Sequence, residues 1–351
     1  MNWDNGMPDD KKNQRNIKRT LLIAIGCLLG IIFLYLAFRD ISWKDLQNGI
    51  RQMQPIYLIP AALLVLMCQL VRALRFGVIL SPFCNIGMKS LWDLMNIWGA
   101  ANMIMPARLG ELVRPYLLQR RGAPFSSSFG AVMVERFFDL SGLLLLLALV
   151  LWKTPQVPQI YTHLGEALLA MLIMGYGIVL LVLTRRDKVQ VIVNKLLSKL
   201  PVRAAAFIGG IFHRLIEGLG IMASFKQVLF LVVYSIILWV FFSCITYLFL
   251  LAFSIEGPFL VAVTIQVLMA LGVALPSAPG FIGTFHAVGR YALALFGISA
   301  VVAVSFATVF HLFSLVMSLL LGGISYATSN FRFDHAMFAA SSNPQESIQQ
   351  G

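Results

Sequence analysis

Three groups of polar residues sit inside stretches of sequence that are otherwise almost wholly apolar, and each has a spacing suited to binding or proton transfer. The first is Arg108, Glu111 and Arg114, three residues apart, which forms one stripe on a half-helix beginning after Pro106. Proline suits a helix start because its missing amide hydrogen would have no partner in the first turn. A helix that starts deep in a membrane aims free amide hydrogens and its positive dipole end at the same place as Arg108. Together they make an anion site that a lipid phosphate would fit. The same three residues are equally suited to pair with one another, or to reach the cytoplasmic interface and hold the segment in place.

The second group is Glu135, Arg136 and Asp139, with two carboxylates four residues apart on one helical face. They can lock this helix to Arg108 and Arg114 as ion pairs, or carry a proton through a transport cycle where water is excluded. The third is the break from Pro276 to Gly283, with Pro279 and Gly280 inside it and Thr284, His286 and Arg290 following. Proline and glycine together stop one helix and permit the turn that starts another. Two positive helix ends then face one cavity from opposite sides. His286 suits a phosphate ligand or a titrating group, and equally a structural histidine. Asn96 and Asn102 either line the same cavity or join helices.

No metal or disulfide reading competes with these. The cysteines form no CxxC pair, and the five histidines have no ligand spacing such as HExxH, so no cofactor or metal is expected.

The elements that position these groups follow from composition. Hydrophobic residues make up 59% of 351 positions and charged residues 12%, against roughly 25% charged in soluble domains. Apolar runs at Thr20 to Phe38, Ile56 to Leu74, Gly165 to Thr184 and Gln227 to Phe253 reach the roughly 20 residues that span a bilayer as helix. The first follows a basic stretch, but is too long for a signal peptide and lacks a small-residue cleavage pattern, so it reads as a retained span.

The net charge of +12 gathers before the first span, around Arg120, and over Arg185 to Arg203. That is the positive-inside distribution rather than a nucleic-acid footprint, and it places both termini in the cytoplasm of a plasma (inner) membrane protein. Arg39 to Pro55 reads as an outside loop, with the second span returning near Arg72 and Arg75. Lys89 to Gln119 has both ends on one side. It reads as a re-entrant hairpin of two half-helices, since about 14 residues at 1.5 Å each reach only about 21 Å. Ser128 to Trp152 and Gly165 to Thr184 cross, Pro258 to Ile298 repeats the hairpin, and Ala300 to Ala327 is the last span.

The fold class expected is therefore an all-α polytopic membrane protein with about six full spans and two re-entrant hairpins. Residues 1–19 form a cytoplasmic basic tail and 20–328 a single transmembrane domain. Its halves, 20–152 and 165–328, form an inverted-topology repeat. An amphipathic cytoplasmic segment over 185–224 is an insertion, and 329–351 is a polar tail.

Asn102-Met-Ile-Met-Pro-Ala-Arg-Leu-Gly-Glu-Leu-Val-Arg114, Glu135-Arg-Phe-Phe-Asp139 and Pro276-Ser-Ala-Pro-Gly-Phe-Ile-Gly-Thr-Phe285, in that order, resemble the flippase-like family that includes the transmembrane region of lysylphosphatidylglycerol synthases. The resemblance covers nearly all of Thr20 to Ala327. It implies lipid handling, with an anionic phospholipid or a polyprenyl-linked lipid as partner. The synthase branch commonly carries glutamate where this chain has His286. The roughly 23 residues after the last span are too few for the aminoacyl-transfer domain of those synthases.

The expected function is a lipid flippase or transporter of a lipid-linked intermediate, not an enzyme. The headgroup would lie between Arg108, Arg114 and the helix end after Pro279. Two other readings stand beside it. One is an enzyme or accessory subunit acting on a lipid phosphate, with Glu135, Asp139 or His286 as general base. The other is a secondary transporter of a soluble anion.

Overall fold

The computed structural model describes residues 28–153, 159–184, 225–273 and 278–329, with Val191, Lys195, Leu197, Ser198, Gly209 and Phe331 besides. The side chains of some residues inside helices, those of Pro106, Ala107 and Arg108 among them, lie outside that description. The amphipathic segment expected over 185–224, the two tails and the start of the first span fall almost wholly outside it.

Among the described residues every regular element is a helix. In chain order they are α1 (Leu28–Phe38), α2 (Trp43–Arg51), α3 (Leu58–Leu80), α4 (Met88–Ile104), α5 (Val113–Gln119), α6 (Phe125–Lys153) and α7 (Gln159–Thr184). There follow α8 (Phe225–Ala252), α9 (Phe259–Val273), α10 (Thr284–Ala294) and α11 (Ala300–Thr328). Three helices, Pro55–Leu80, Lys226–Ala252 and Ala300–Thr328, are long and apolar enough to cross a membrane. The bundle has polar groups inside and large apolar side chains outside: Arg75, Arg114 and Glu135 are buried, while Leu63, Leu145, Ile173, Ile236 and Ile324 are exposed. That is the arrangement expected where lipid, not water, is the outer solvent.

Two expectations are corrected here. Arg39 to Pro55 is not merely a loop, because α2 occupies most of it. Ser42 caps its first turn and Asp45 reaches back to the Ser42 amide, a capping box that satisfies two otherwise orphaned donors. The second span does not end near Arg72 and Arg75. It runs on to Leu80, because Ala73, Phe76, Ile79 and Leu80 continue its buried face at helical spacing.

The first break also differs from a simple pair of half-helices. Between α4 and α5 the chain winds as a 3-10 helix over Pro106–Leu112. Pro115 supplies the reason, since a proline is tolerated only in the first turn of an α-helix, and starting α5 at Val113 puts it there.

The chain then returns antiparallel to α4. Gly110 lies against Asn102, the Arg114 guanidinium over Trp98 at 4.2 Å, and Arg121 Nη1 donates to Ser90 Oγ at 2.6 Å. The second break likewise folds α10 back on α9, with Gly272 against Val288 and Gly289 beside Met269.

One helix joins both hairpins. On α11, Gly322 sits so close to Ala100 of α4 that a Cβ there would overlap it, and Asn96 Nδ2 donates to Ser325 Oγ at 3.1 Å. Lower on the same helix, Ala307 packs against Gly289 and His311 against His286 of α10. Phe310 stacks on Phe249 of α8 with ring centroids 4.4 Å apart. Small residues let helices approach closely, which is the main source of helix association in lipid.

Candidate functional site

Glu111 and Arg114 of the first group and all three residues of the second converge into one ionic network. Arg114 Nη1 meets Glu135 Oε2 at 2.7 Å and Arg114 Nη2 meets Glu111 Oε2 at 3.0 Å. Glu111 near the end of the 3-10 turn and Arg114 at the start of α5 are three residues apart, a spacing that brings two side chains onto one helical face. Arg136 bonds to Glu135 at 3.0 Å and to Asp139 at 3.1 Å, and reaches Glu111 at 3.6 Å. Arg75, from α3, closes the network on the far side, with Nη1 2.6 Å from Asp139 and Nη2 3.4 Å from Glu135.

The network has a floor and an open side. Arg75, Arg114 and Glu135 have side-chain exposures of 1%, 0% and 1%, whereas Glu111, Arg136 and Asp139 keep 22%, 34% and 28%. A lone buried ion would cost several kcal/mol, so the floor charges depend on each other. Aromatic rings finish the enclosure: Trp98 has the guanidinium groups of Arg72, Arg114 and Arg136 at 5.4, 4.2 and 5.3 Å from its ring. Arg114 also lies 4.8 Å from the ring of Phe76. A ring quadrupole attracts each cation, most strongly where water is excluded.

Asn102 sits at the mouth of this hairpin, its Nδ2 3.5 Å from Glu111 Oε1 and its Oδ1 buried without a hydrogen-bond partner. Asn96 joins helices instead. Its Oδ1 accepts from Gln69 Nε2 at 2.8 Å while its amide donates to Ser325. Of Arg108 the structure describes only the backbone, within the 3-10 turn.

The third group forms a separate constellation. Pro279–Phe281 is a short 3-10 turn with Gly280 at φ 66°, and Gly283 at φ 87° precedes α10. Residues 274–277, which include Pro276, lie outside the described residues. The His311 ring bonds through Nε2 to the Gly280 carbonyl at 2.6 Å, pinning the turn to α11. His286 lies between His311 and Phe38, at centroid distances of 5.1 and 5.6 Å, with its Nδ1 buried and unpartnered. Thr284 Oγ1 is also buried without a partner.

Arg290 turns away from the break. Its Nη1 donates to the carbonyls of Leu36 and Ala37 at 3.1 and 2.7 Å, and its Nη2 meets Asp40 at 3.0 Å. It thus satisfies the last carbonyls of α1, where a cation also opposes the negative dipole end. The hydrogen bond from Arg290 is the main cause that holds the Asp40 carboxyl below its ordinary range, with Arg39 adding to it. The two breaks meet where Gly280 approaches the Met103 carbonyl. No hydrogen bond or ion pair among the described residues joins the ionic network to the histidine pair. Nor does any group of three or more His, Cys, Asp or Glu among them stand ready for a metal ion.

Sequence reasoning missed Arg75, Arg72, Trp98 and His311. The signal for the two arginines was present, because Phe76-Gly-Val-Ile-Leu80 continues the apolar run after them and so places both inside the helix.

An all-helical, multi-pass membrane protein with two broken-helix hairpins and a buried ionic network is the class these features define. Over residues 23–322 the chain matches the family described as Lysylphosphatidylglycerol synthase TM region, and it belongs to that family. The resemblance carried by the three motifs is thereby borne out. It is similar to a UPF0104 membrane protein of Methanothermobacter thermautotrophicus, 22% identical over 309 residues that make up 84% of this chain and 91% of the relative. A stretch of 129 residues, 35% of this chain, is 30% identical to Glycosyltransferase AglD of Haloferax volcanii, and spans only 20% of that relative's length.

Proposed function

We propose that this protein moves an anionic lipid or lipid-linked intermediate between membrane leaflets, with the headgroup handled at the ionic network and the lipid chains left in the bilayer. The observation that carries this reading is the two-sided network at the turn of the first hairpin. Its floor is sealed, but Glu111, Arg136 and Asp139 keep accessible surface. Ionisable groups inside a membrane bundle mark substrate paths more often than they mark the lipid face. Family membership supports a lipid as the cargo.

In this reading the two broken segments are re-entrant hairpins and, with about six full spans, form an inverted-topology repeat. Helix pairing supports it. In the first half α3 packs on α4 and α5 on α6; in the second, α8 packs on α9 and α10 on α11. Across the halves α4 lies on α11 as α9 lies on α6, with α3 against α8 between them. Transporters built this way bind substrate near the midplane, between broken helices. The basic segments put both termini in the cytoplasm of the inner membrane. The protein acts as a carrier rather than a catalyst. The glycosyltransferase activity named for the Haloferax relative stays with that protein, since the likeness covers a fifth of it.

The test is lipid movement in proteoliposomes, followed with a headgroup-labelled phosphatidylglycerol and an external quencher. Wild-type protein accelerates exchange of this lipid over a zwitterionic one. The charge-neutral pair Arg136→Gln and Asp139→Asn slows it by about tenfold or more at equal reconstitution, the scale of one lost charge-assisted hydrogen bond. Full movement by the double variant removes the network from transport.

A further inference from the structure

Arg72 stands apart from every other arginine of the network. Its Nη1 donates to Gln69 Oε1 at 2.8 Å, and no carboxylate among the described residues lies within ion-pair distance. Its guanidinium lies between two rings, 5.4 Å from Trp98 and 5.1 Å from Phe242. Unlike Arg75 and Arg114 it is only half-buried. A planar group with five donors and one protein acceptor among the described residues, held within reach of two aromatic rings, is set up to receive a second acceptor from outside the protein.

Charge balance points the same way. Arg75, Arg114 and Arg136 are matched by Glu111, Glu135 and Asp139, each in at least one ion pair. Arg72, which shares Trp98 with two of them, adds one positive charge that no ion pair among the described residues matches. Such a half-buried charge favours a single negative charge beside it. We infer that Arg72 and Trp98 form the subsite for a singly charged phosphate group, with the balanced network beside it serving as its rigid wall. Gln69 fixes the guanidinium and is itself held by Asn96, which Ser325 of α11 holds in turn. The subsite is therefore tied to α3, α4 and α11. This inference rests on the transport reading and assigns its anionic group a place.

The test compares wild type with Arg72→Gln and Arg72→Lys, each as the full purified chain in mild detergent. The probes are dioctanoyl phosphatidylglycerol and inorganic phosphate, and binding is read by calorimetry. Wild type binds the lipid, Arg72→Gln weakens it by about tenfold or more, and Arg72→Lys keeps part of the affinity as a point charge without the planar fork. Unliganded melting temperatures stay close to wild type, because Arg72 makes no ion pair among the described residues. Lipid binding that inorganic phosphate does not displace makes the source a lipid headgroup. Phosphate binding by wild type that Arg72→Gln loses makes it a soluble phosphate, with the subsite still at Arg72. Equal binding of both probes by wild type and Arg72→Gln, or binding of neither by wild type, overturns the subsite. Proteoliposomes separate the two ideas. Wild-type lipid movement that Arg72→Gln retains in full overturns the subsite alone, whereas a wild type that moves no lipid overturns the transport reading.

Discussion

The two hairpins use one backbone device and fill it with opposite chemistry. The first turns at prolines and is held by charge: three carboxylates and three guanidinium groups interlock around Glu135. The second turns at glycines in left-handed conformation and is held by close packing, aromatic rings and one histidine bond to the Gly280 carbonyl. A break in a membrane helix frees backbone and side-chain polar groups that must be satisfied inside the protein. The first hairpin does so with ions that keep an accessible side, while the second pairs His311 with the Gly280 carbonyl and leaves His286 Nδ1 and Thr284 Oγ1 buried without a partner. The difference teaches that a helix break alone does not make a site, and that the charge around it and the access to it do.

Breaking the charged lock has the largest expected effect. Arg114→Met leaves the sealed Glu135, and Glu111 on the open side, short of a cation and costs about 3–5 kcal/mol, read as a large fall in melting temperature and folded yield. Pairing it with Glu135→Met recovers much of the loss, because two apolar side chains can replace a buried ion pair. A single variant as stable as the parent would show that charge does not hold the first hairpin.

Next comes the packed turn. In Gly283→Ala the new Cβ meets the Gly30 carbonyl at a backbone φ of 87°, and strain of this kind costs about 1–3 kcal/mol. Gly297→Ala, at φ 73° with open space around it, is the matched control and loses less. Equal melting temperatures for the two would mean that conformation, not the contact with α1, decides the second break.

His311→Phe removes the bond to Gly280 and is expected to cost about 1–2 kcal/mol, whereas His286→Phe replaces a ring whose Nδ1 has no partner and changes the melting temperature little. A larger loss from His286→Phe than from His311→Phe would reverse the roles given to the pair.

The smallest effect belongs to Asp40, at the surface end of the Arg290 cap. Its carboxyl is held below the ordinary range by Arg290, so its stabilisation is present in full above that range and fades as pH falls through the lowered value. Wild type therefore melts slightly above Asp40→Asn at neutral pH, and the gap closes in strong acid. A gap that widens in acid would contradict the pairing.

Much of this architecture was legible before any coordinates. Apolar runs gave the long helices, because in lipid each span must satisfy its backbone internally and so announces itself by length and composition. Prolines and glycines gave the two breaks. Ser42 and Asp45 carry a capping-box signal, but a short charged stretch between spans reads equally as a loop. By sequence alone Arg72 and Arg75 read as the end of a span, because basic residues usually mark an interface. Only the burial of Arg75 beneath Glu135 and Asp139 shows otherwise.

What the sequence determined by itself was the long apolar helices, the places where two of them break, and the residues with chemical capacity, the triplets Arg108, Glu111, Arg114 and Glu135, Arg136, Asp139. These are local properties, set by hydropathy, backbone sterics and helical period. What tertiary structure alone decided was partnership. It brought Arg75 from α3 to carboxylates on α6, sent Arg290 to the end of α1 instead of to the break, and left Arg72 without an ion pair among the described residues. Charge pairing depends on separations of a few ångströms between residues tens or hundreds of positions apart. No spacing along the chain encodes those separations, and helix packing does.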